Sequence, residues 1–445
     1  MEIIIENNKN VLKMLGKIPD SIGKYRLLNY CVILEVAEGI LVFNTLTRAL
    51  VLLTRDEYEE RFNNEYLKEH WFTVPEDYNE KGRVELVRWI NSTMLAKQKN
   101  ITSYTILTTT DCNARCYYCY EMGYQRVSMT EKTAIKVAEF IREKSGGEPV
   151  KINWFGGEPL YNAKVIDCIC KSLQENQIAY ESIMISNGYL FDDDTVNRAV
   201  NLWKLQKVQI TLDGTEEVYN GSKAYIYREG SAYQRVLSNI ERLLDAGISV
   251  IIRMNIQVKN ADDLLNLTEE LVHRFKEREN IWAYAHVIFE DGTALEDLYS
   301  QSDLEKIYGS LLRIEERLIS NGLFKQERLA RKVKQNHCMA DSGKAVLINP
   351  NGALGLCEHF AESNLIGHID SPEQDQEMKE SWMETKELSA CEKCFSYPEC
   401  IRLKKCPHNE DCPEQKQEYI RKKIQRAMYN EFVMWQNKKN DKPED

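Results

Sequence analysis

The sequence predicts an α/β protein in which parallel βα units, as an open doubly wound sheet or a partial (β/α)6 barrel, lie between a strand-rich N-terminal unit and a cysteine-rich C-terminal unit. Three observations carry that prediction. From residue 103 onward, the apolar runs "SYTILTTT", "VKINW", "ESIMIS", "KVQITL", "ISVIIRMNI" and "WAYAHVIF" alternate with helical patterns, as parallel βα units do. Ahead of them, residues 25–54 cluster β-branched and apolar residues around turn signals at Glu38-Gly39 and Asn44, which reads as a small antiparallel sheet. Behind them, seven of the thirteen cysteines lie between residues 338 and 412.

The elements follow in chain order. Helical patterns near 55–69 and 82–98 complete a unit spanning 1–100, which ends in the polar stretch "AKQKNITS". The barrel unit occupies 101–300. Its first helix, "TEKTAIKVAEFIREK", starts after Thr130 as N-cap, and "AYQRVLSNIERLLDAG" stops at Gly247 as C-cap. A bridging helical region, 301–336, contains "SDLEKIYGSLLRIEERLIS"; residues 337–445 hold the cysteines and close on "QEYIRKKIQRAMYNEFVMW", amphipathic through Ile420, Ile424, Met428 and Phe432. Asn351-Gly352 reads as a hairpin turn. Cys170 falls on a helical stripe with Ile166, Ile169 and Leu173 and reads as a small core residue, as does Cys31 within "YCVILEV".

Composition excludes several classes. With 43% hydrophobic and 29% charged residues the chain has the make-up of a folded globular protein. A net charge of -11 argues against nucleic acid as the main partner, because phosphate binding needs a basic surface. A basic stretch, "LFKQERLARKVKQNH" (323–337), reads as a solvated helix face, with a grip on an acidic partner as the other reading. No run approaches the roughly 20 apolar residues of a membrane span, and "MEIIIENNKN" lacks a signal-peptide pattern, so a cytoplasmic protein without membrane attachment is expected. In that compartment clustered cysteines point to metal or redox chemistry.

The stretch "TTTDCNARCYYCYEMG" puts Cys112, Cys116 and Cys119 in a C-x3-C-x2-C run directly after the first barrel strand. Three thiolates on one loop suit zinc with a distant fourth ligand, or three corners of a [4Fe-4S] cube. "WFGGEP" follows the second strand and sets Gly156, Gly157 and Glu158 on the same face. Together these motifs resemble the radical S-adenosylmethionine enzymes, whose barrel is TIM-like and whose fourth iron is left for the cofactor. The resemblance implies cluster ligation by the three cysteines, which are thereby catalytic. It also implies an aromatic wall at Tyr118, cofactor contacts at Gly156, Gly157 and Glu158, and pocket positions at Asn187, Thr211 and Asp213. Arg253 in "IIRMN" takes the place of an arginine that grips the cofactor's carboxylate; a guanidinium inside an apolar strand needs an anion in any case.

The remaining cysteines are similar to the SPASM extension of peptide-modifying radical enzymes: Cys338, then Gly352-x4-Cys357, then Cys391-x2-Cys394-x5-Cys400, then Cys406 and Cys412. The five residues between Cys400 and Cys406 depart from the commoner three. The resemblance implies two auxiliary [4Fe-4S] clusters, one on Cys391, Cys394, Cys400 and Cys412 and one on Cys338, Cys357 and Cys406, which makes three clusters in all. Seven cysteines for eight ligand places leave one iron open, or given to His337 or His359; a single zinc ribbon with spare thiols is the alternative. Glu358 stands where a related sulfatase-maturing enzyme has a catalytic carboxylate.

The first 100 residues resemble, more loosely, the winged-helix-like unit by which maturases of ribosomally made peptides take the precursor's leader through an edge strand. The expected function is therefore a radical S-adenosylmethionine oxidoreductase acting on a leader-bearing precursor peptide, fed by a reductant such as flavodoxin or ferredoxin, and installing a thioether from cysteine sulfur to carbon. The rivals are a carbon-carbon or carbon-oxygen cross-linking enzyme, a formylglycine-forming sulfatase maturase, and a non-enzymatic iron-sulfur carrier or zinc-bound interaction protein.

Overall fold

The computed structural model describes residues 1–18, 23–95, 100–227, 229–289, 293–325, 327–334, 338–360, 363–371, 373–408 and 411–440. Six short strands open the chain: β1 (Glu2–Ile5), β2 (Tyr25–Leu27), β3 (Cys31–Val36), β4 (Gly39–Asn44), β5 (Leu50–Leu53) and β6 (Thr73–Pro75). Four of them form an antiparallel sheet in the order β1-β5-β4-β3, while β2 pairs with β6. The sheet expected over 25–54 is present, and β1 adds a strand to it from outside that range. The helical pattern near 55–69 breaks into Arg55–Glu59 and Glu65–Glu69, each with its own N-cap, Thr54 and Asn64. A longer helix follows at Glu80–Leu95.

The six alternating runs form β7 (Ser103–Leu107), β8 (Val150–Phe155), β9 (Tyr180–Ser186), β10 (Leu205–Thr211), β11 (Ser249–Ile256) and β12 (Ile281–Val287), paired in parallel in sequence order. Helices between them start at side-chain caps, Thr130 and Ser231 among them, whose oxygens accept backbone N–H groups that no helical carbonyl reaches. Gly247 follows one helix with φ +79°, a conformation that favours glycine. Cys170 is fully buried with Ile166, Ile169 and Leu173. Cys31 is half-buried at the sheet edge, its Sγ directed at the Phe72 carbonyl.

The parallel sheet does not end where the sequence pattern ends. β13 (Ala345–Ile348) pairs in parallel with β7, then β14 (Ala353–Gly355) and β15 (Gly367–His368) add antiparallel, giving the order β12-β11-β10-β9-β8-β7-β13-β14-β15. The boundary drawn at 336/337 thus separates segments of one sheet and one core, in which Val346, Ile348, Leu354 and Leu403 pack with Tyr104 and Ile106. The reason is that β7 would otherwise present an unpaired edge. At the opposite end, Ala283 N of β12 donates to the Leu323 carbonyl at 2.8 Å, beyond the helix Gln301–Ser320.

The C-terminal helix, Glu414–Asn440, runs back to the N-terminal sheet, where Ala427, Met428 and Phe432 pack with Ile5, Val32, Leu41 and Phe43. Residues 327–334 of the basic stretch are not the solvated helix face the charge pattern predicts. They are irregular, and Arg328 and Arg331 pair with Glu431 of the C-terminal helix at 2.6 and 2.9 Å; that glutamate is buried and needs the cations. Among the described residues no helix is long and apolar enough to cross a membrane.

Candidate active site at the strand ends

The loops leaving β7 to β12 gather at the C-terminal ends of their strands, where parallel α/β sheets carry their chemistry. After β7 the chain turns through Thr109 and Asp111, and the loop after β8 closes on it: Gly157 N and Glu158 N donate to the Thr109 and Asp111 carbonyls, both at 3.0 Å. Gly156 has φ +126°, and a Cβ there would lie 2.1 Å from the Thr109 oxygen; at Gly157 it would lie 2.4 Å from the Asp111 oxygen. The space a side chain would take at these glycines is filled by the neighbouring loop's own backbone.

Glu158 is likewise turned into the protein. It is fully buried, its Oε1 accepting from Leu160 N (3.1 Å) and Ser186 Oγ (2.9 Å) and its Oε2 from Asn187 N (2.8 Å). Burial outweighs these donors and pushes its carboxyl up to about 7. The residue expected to accept from a cofactor ammonium thus fastens the β8 loop to the β9 loop. Asn187, held there by its backbone, reaches with Nδ2 toward Asn113 Oδ1 (2.6 Å) and Cys112 Sγ (3.7 Å). Asn113 is fully buried, and its Nδ2 has no hydrogen-bond partner among the described residues.

Tyr118 and Asp213 meet. The Tyr118 hydroxyl donates to Asp213 Oδ2 and receives from Lys223 Nζ at 2.6 Å, while Lys223 pairs with Asp213 at 2.8 Å. Both charged groups are nearly inaccessible, with relative exposures of 3% for Lys223 and 1% for Asp213. Burial pulls the ammonium down, but Asp213, Tyr118 and Cys116 together hold it well above the ordinary lysine value. Sequence reasoning missed Lys223: it ends the helix Glu216–Lys223 in an unremarkable "NGSKAY", and only folding brings it under the cysteine loop. Its carbonyl accepts from Arg115 N at 2.9 Å and faces Cys116 Sγ at 4.0 Å.

The three loop thiols are close enough to influence one another. Burial, then Glu158, then Cys116 and Cys119 push Cys112 up to about 12; burial, Glu121 and Cys116 push Cys119 up to about 11, with Lys223 opposing. Thr211 is half-buried at the end of β10, opposite Arg253 of β11 in the parallel register. Arg253 donates to Asn255 Oδ1 at 2.9 Å, lies 3.4 Å from His286 Nδ1, and has no carboxylate partner among the described residues. Burial and this guanidinium pull His286 down to about 4, so its imidazole is neutral near pH 7.

The C-terminal thiols sort into two neighbourhoods. Cys357 is raised by burial, then by Glu358, Cys338 and Cys406; Cys338 feels Glu358 and Cys406 in turn. Separately, Cys394 feels Cys412 and Cys391, Cys400 feels Cys394 and Cys391, and Cys412 feels Cys400 and Cys391. Glu358 stands beside the group of three, on the short turn Glu358–Phe360. The next residue, His359, stacks on Tyr120 with ring centroids 4.0 Å apart and meets His408 at 5.3 Å, joining the loop of Cys119 to this region. His337 lies outside the described residues. Among the described residues no three His, Cys, Asp or Glu side chains converge to hold one metal ion.

Residues 106–271 match the model of the Radical SAM superfamily. The chain carries a radical SAM domain. A probable GTP 3',8-cyclase of Archaeoglobus fulgidus is 23% identical over 266 residues, 58% of this chain and 80% of that protein. The sporulation killing factor maturation protein SkfB of Bacillus subtilis is 26% identical over 174 residues, 38% of this chain and 39% of that protein. Among solved structures, native anSMEcpe with bound AdoMet superposes with a TM-score of 0.58 at 13% identity, covering 75% of this chain and all of that one, a likeness of fold. The matched domain takes up residues 106–271 of a mostly parallel sheet, and the cysteine-rich C-terminal region follows it.

Proposed function

We propose that this enzyme matures a ribosomally made precursor peptide, taking a hydrogen atom from it and closing an intramolecular cross-link, with a thioether from cysteine sulfur to carbon as the leading product. The observation that supports the reading is the stack of Tyr120 on His359, which joins the loop of Cys119 to the turn that follows Cys357. Cofactor cleavage by itself has no need of the C-terminal thiols; a cysteine-bearing substrate has. Related proteins are in keeping with it, since SkfB is a sporulation killing factor maturation protein and anSMEcpe has been solved with a bound peptide.

Bound together, a reduced [4Fe-4S] cluster and S-adenosylmethionine supply a 5'-deoxyadenosyl radical. The chain's own residues hold and shield that chemistry. Cys112, Cys116 and Cys119 ligate the cluster, and the unpartnered amide of Asn113 fits a ligand acceptor at the same loop. Arg253 takes the cofactor's carboxylate. Tyr118, fixed by Asp213 and Lys223, forms an aromatic wall; Gly156, Gly157, Glu158 and Asn187 set the loops, and Thr211 lines the floor. Cys391, Cys394, Cys400 and Cys412 would hold a second cluster and Cys338, Cys357 and Cys406 a third, which would supply an acceptor for the electron left when the thioether closes, with Glu358 beside it as the carboxylate that receives the thiol proton. Strand β3, at the sheet edge, supports leader binding by strand addition, although Gln425 Nε2 already donates to its Ile33 carbonyl at 2.8 Å. A flavodoxin or ferredoxin serves as reductant.

The test is anaerobic reconstitution with reductant, S-adenosylmethionine and a cysteine-containing precursor peptide encoded near the gene, followed by mass spectrometry. Expected are 5'-deoxyadenosine, a peptide lighter by two hydrogen atoms, and loss of both with Cys112→Ala/Cys116→Ala/Cys119→Ala. Cleaved cofactor with a carbon-carbon or carbon-oxygen link replaces the thioether. Formylglycine on a sulfatase peptide, or turnover of GTP, overturns the substrate class; absence of 5'-deoxyadenosine overturns the enzyme reading.

A further inference from the structure

Beyond the end of β12 lies a cavity of about 250 Å³ that none of the assignments above uses. It sits between the last strand of the parallel sheet, the helix Gln301–Ser320 and the start of the C-terminal helix. Its wall carries the rings of Phe289, Tyr308 and Tyr419 and the imidazoles of His286 and His408, among aliphatic side chains such as Leu311, with Asp411 and Lys416 also lining it. The rings are packed together as well as gathered. Phe289 and His408 approach to 3.4 Å between centroids, and Tyr308 and Tyr419 to 5.7 Å.

Size and chemistry limit the occupant. The volume equals roughly eight waters, below the ~300 Å³ at which pockets begin to hold whole small-molecule ligands, so it suits one side chain rather than a cofactor. Its ring-lined wall favours an aromatic guest, since offset and edge-to-face pairs add to simple apolar burial. Location limits it further. His286, one of the lining rings, touches Arg253, and His408 touches His359, which stacks on Tyr120 beside Cys119. A residue anchored here is held next to the strand-end site.

We propose that this cavity receives an aromatic side chain of the peptide substrate and thereby sets which neighbouring residue of that peptide faces the strand-end site. The proposal rests on the peptide-maturase reading. It makes this chain selective for an aromatic residue at a fixed distance from the modified position, and it makes His286 a positioning residue shared by the anchor pocket and Arg253.

The probe is N-acetyl-4-fluorophenylalanine amide, followed by ¹⁹F NMR on the reconstituted holoenzyme, with N-acetylalanine amide as unlabelled competitor. Saturable binding that the alanine amide does not displace is expected. Leu311→Trp, which fills the cavity from the helix, and Thr293→Trp, which fills it from the rim, should each weaken binding about tenfold or more, with circular dichroism reporting the fold. Thr293 lies outside regular structure, so its variant keeps the test decisive if the helix variant unfolds. Equal binding in the wild type and Thr293→Trp, or displacement by the alanine amide, overturns the proposal. Cofactor cleavage by the wild-type holoenzyme is scored in parallel. Its absence defeats the functional reading, whereas cleavage without aromatic binding defeats the pocket alone.

Discussion

Lys223 and Asp213 show what a buried charge requires. Their side chains are 4% and 2% exposed, so removing one partner leaves the other uncompensated where water cannot reach it. Lys223→Met should cost about 3–5 kcal/mol in chemical denaturation, and adding Asp213→Asn should return part of that loss. A single variant as stable as the wild type contradicts the pairing. Glu158 gives a pH signature. Its carboxyl sits at about 7 in the folded protein against 4.5 ordinarily, so the fold binds this proton more tightly than the unfolded chain does. The associated stability is complete below about pH 4.5 and is lost as pH rises through about 7. The Tm advantage of the wild type over Glu158→Gln should therefore shrink between those pH values; a gap that widens refutes the assignment. These pairings lie outside what motif reading supplies. Glu158 was legible as a strand-end carboxylate, but its donors come from Leu160, Ser186 and Asn187, and no spacing rule points to Lys223 as a partner of Asp213.

At the scale of elements, the loops of β7 and β8 are joined by main-chain contacts that tolerate no side chain. Gly156→Ala places a Cβ about where the Thr109 oxygen sits, in a backbone conformation few residues adopt. It should lower Tm and, by parting the two loops, reduce the iron retained at Cys112, Cys116 and Cys119. Gly221 offers the contrast, being helical with nothing within 4 Å of an added Cβ. Gly221→Ala should stabilise by about 0.5–1 kcal/mol through helix propensity. The alternation of strands and helices was legible because each barrel strand is apolar and each helix amphipathic. β13 escaped as a barrel neighbour because its four residues, Ala345–Ile348, read equally well as one arm of a local hairpin; the unpaired edge of β7 gives it a second partner.

At the scale of the molecule, the N-terminal and cysteine-rich units are built into each other. Thr45 Oγ1 donates to the Phe395 carbonyl at 2.6 Å, Arg88 to the Cys400 carbonyl at 2.8 Å, and Tyr30 stacks on Tyr397 at 6.0 Å. Lys81 pairs with Glu387 at 2.6 Å, and Cys391 and Cys394 pack against the core of Trp71 and Val84. Deleting residues 1–100 should therefore remove more than leader affinity. The segment Cys391–Cys400 loses its support, so iron should fall by the content of one cluster while 5'-deoxyadenosine formation persists. Unchanged iron in that truncation, measured against protein concentration, shows that the two units are separable after all.

The sequence by itself determined the βα order, the strand-end position of Cys112, Cys116 and Cys119, the hairpin at Asn351-Gly352 and the amphipathic C-terminal helix. Each rests on residues near one another in the chain, where periodicity, turn chemistry and spacing act. Only the tertiary structure decided that the neighbourhood of Gly156 and Gly157 is filled by backbone, that Glu158 fastens two loops, and that Glu431 draws Arg328 and Arg331 out of a helical face. It also decided the Tyr120-His359 stack and the ring-lined cavity. Those depend on which group finds which partner in a different element of the fold, and that choice is made by packing and desolvation, which no local pattern records.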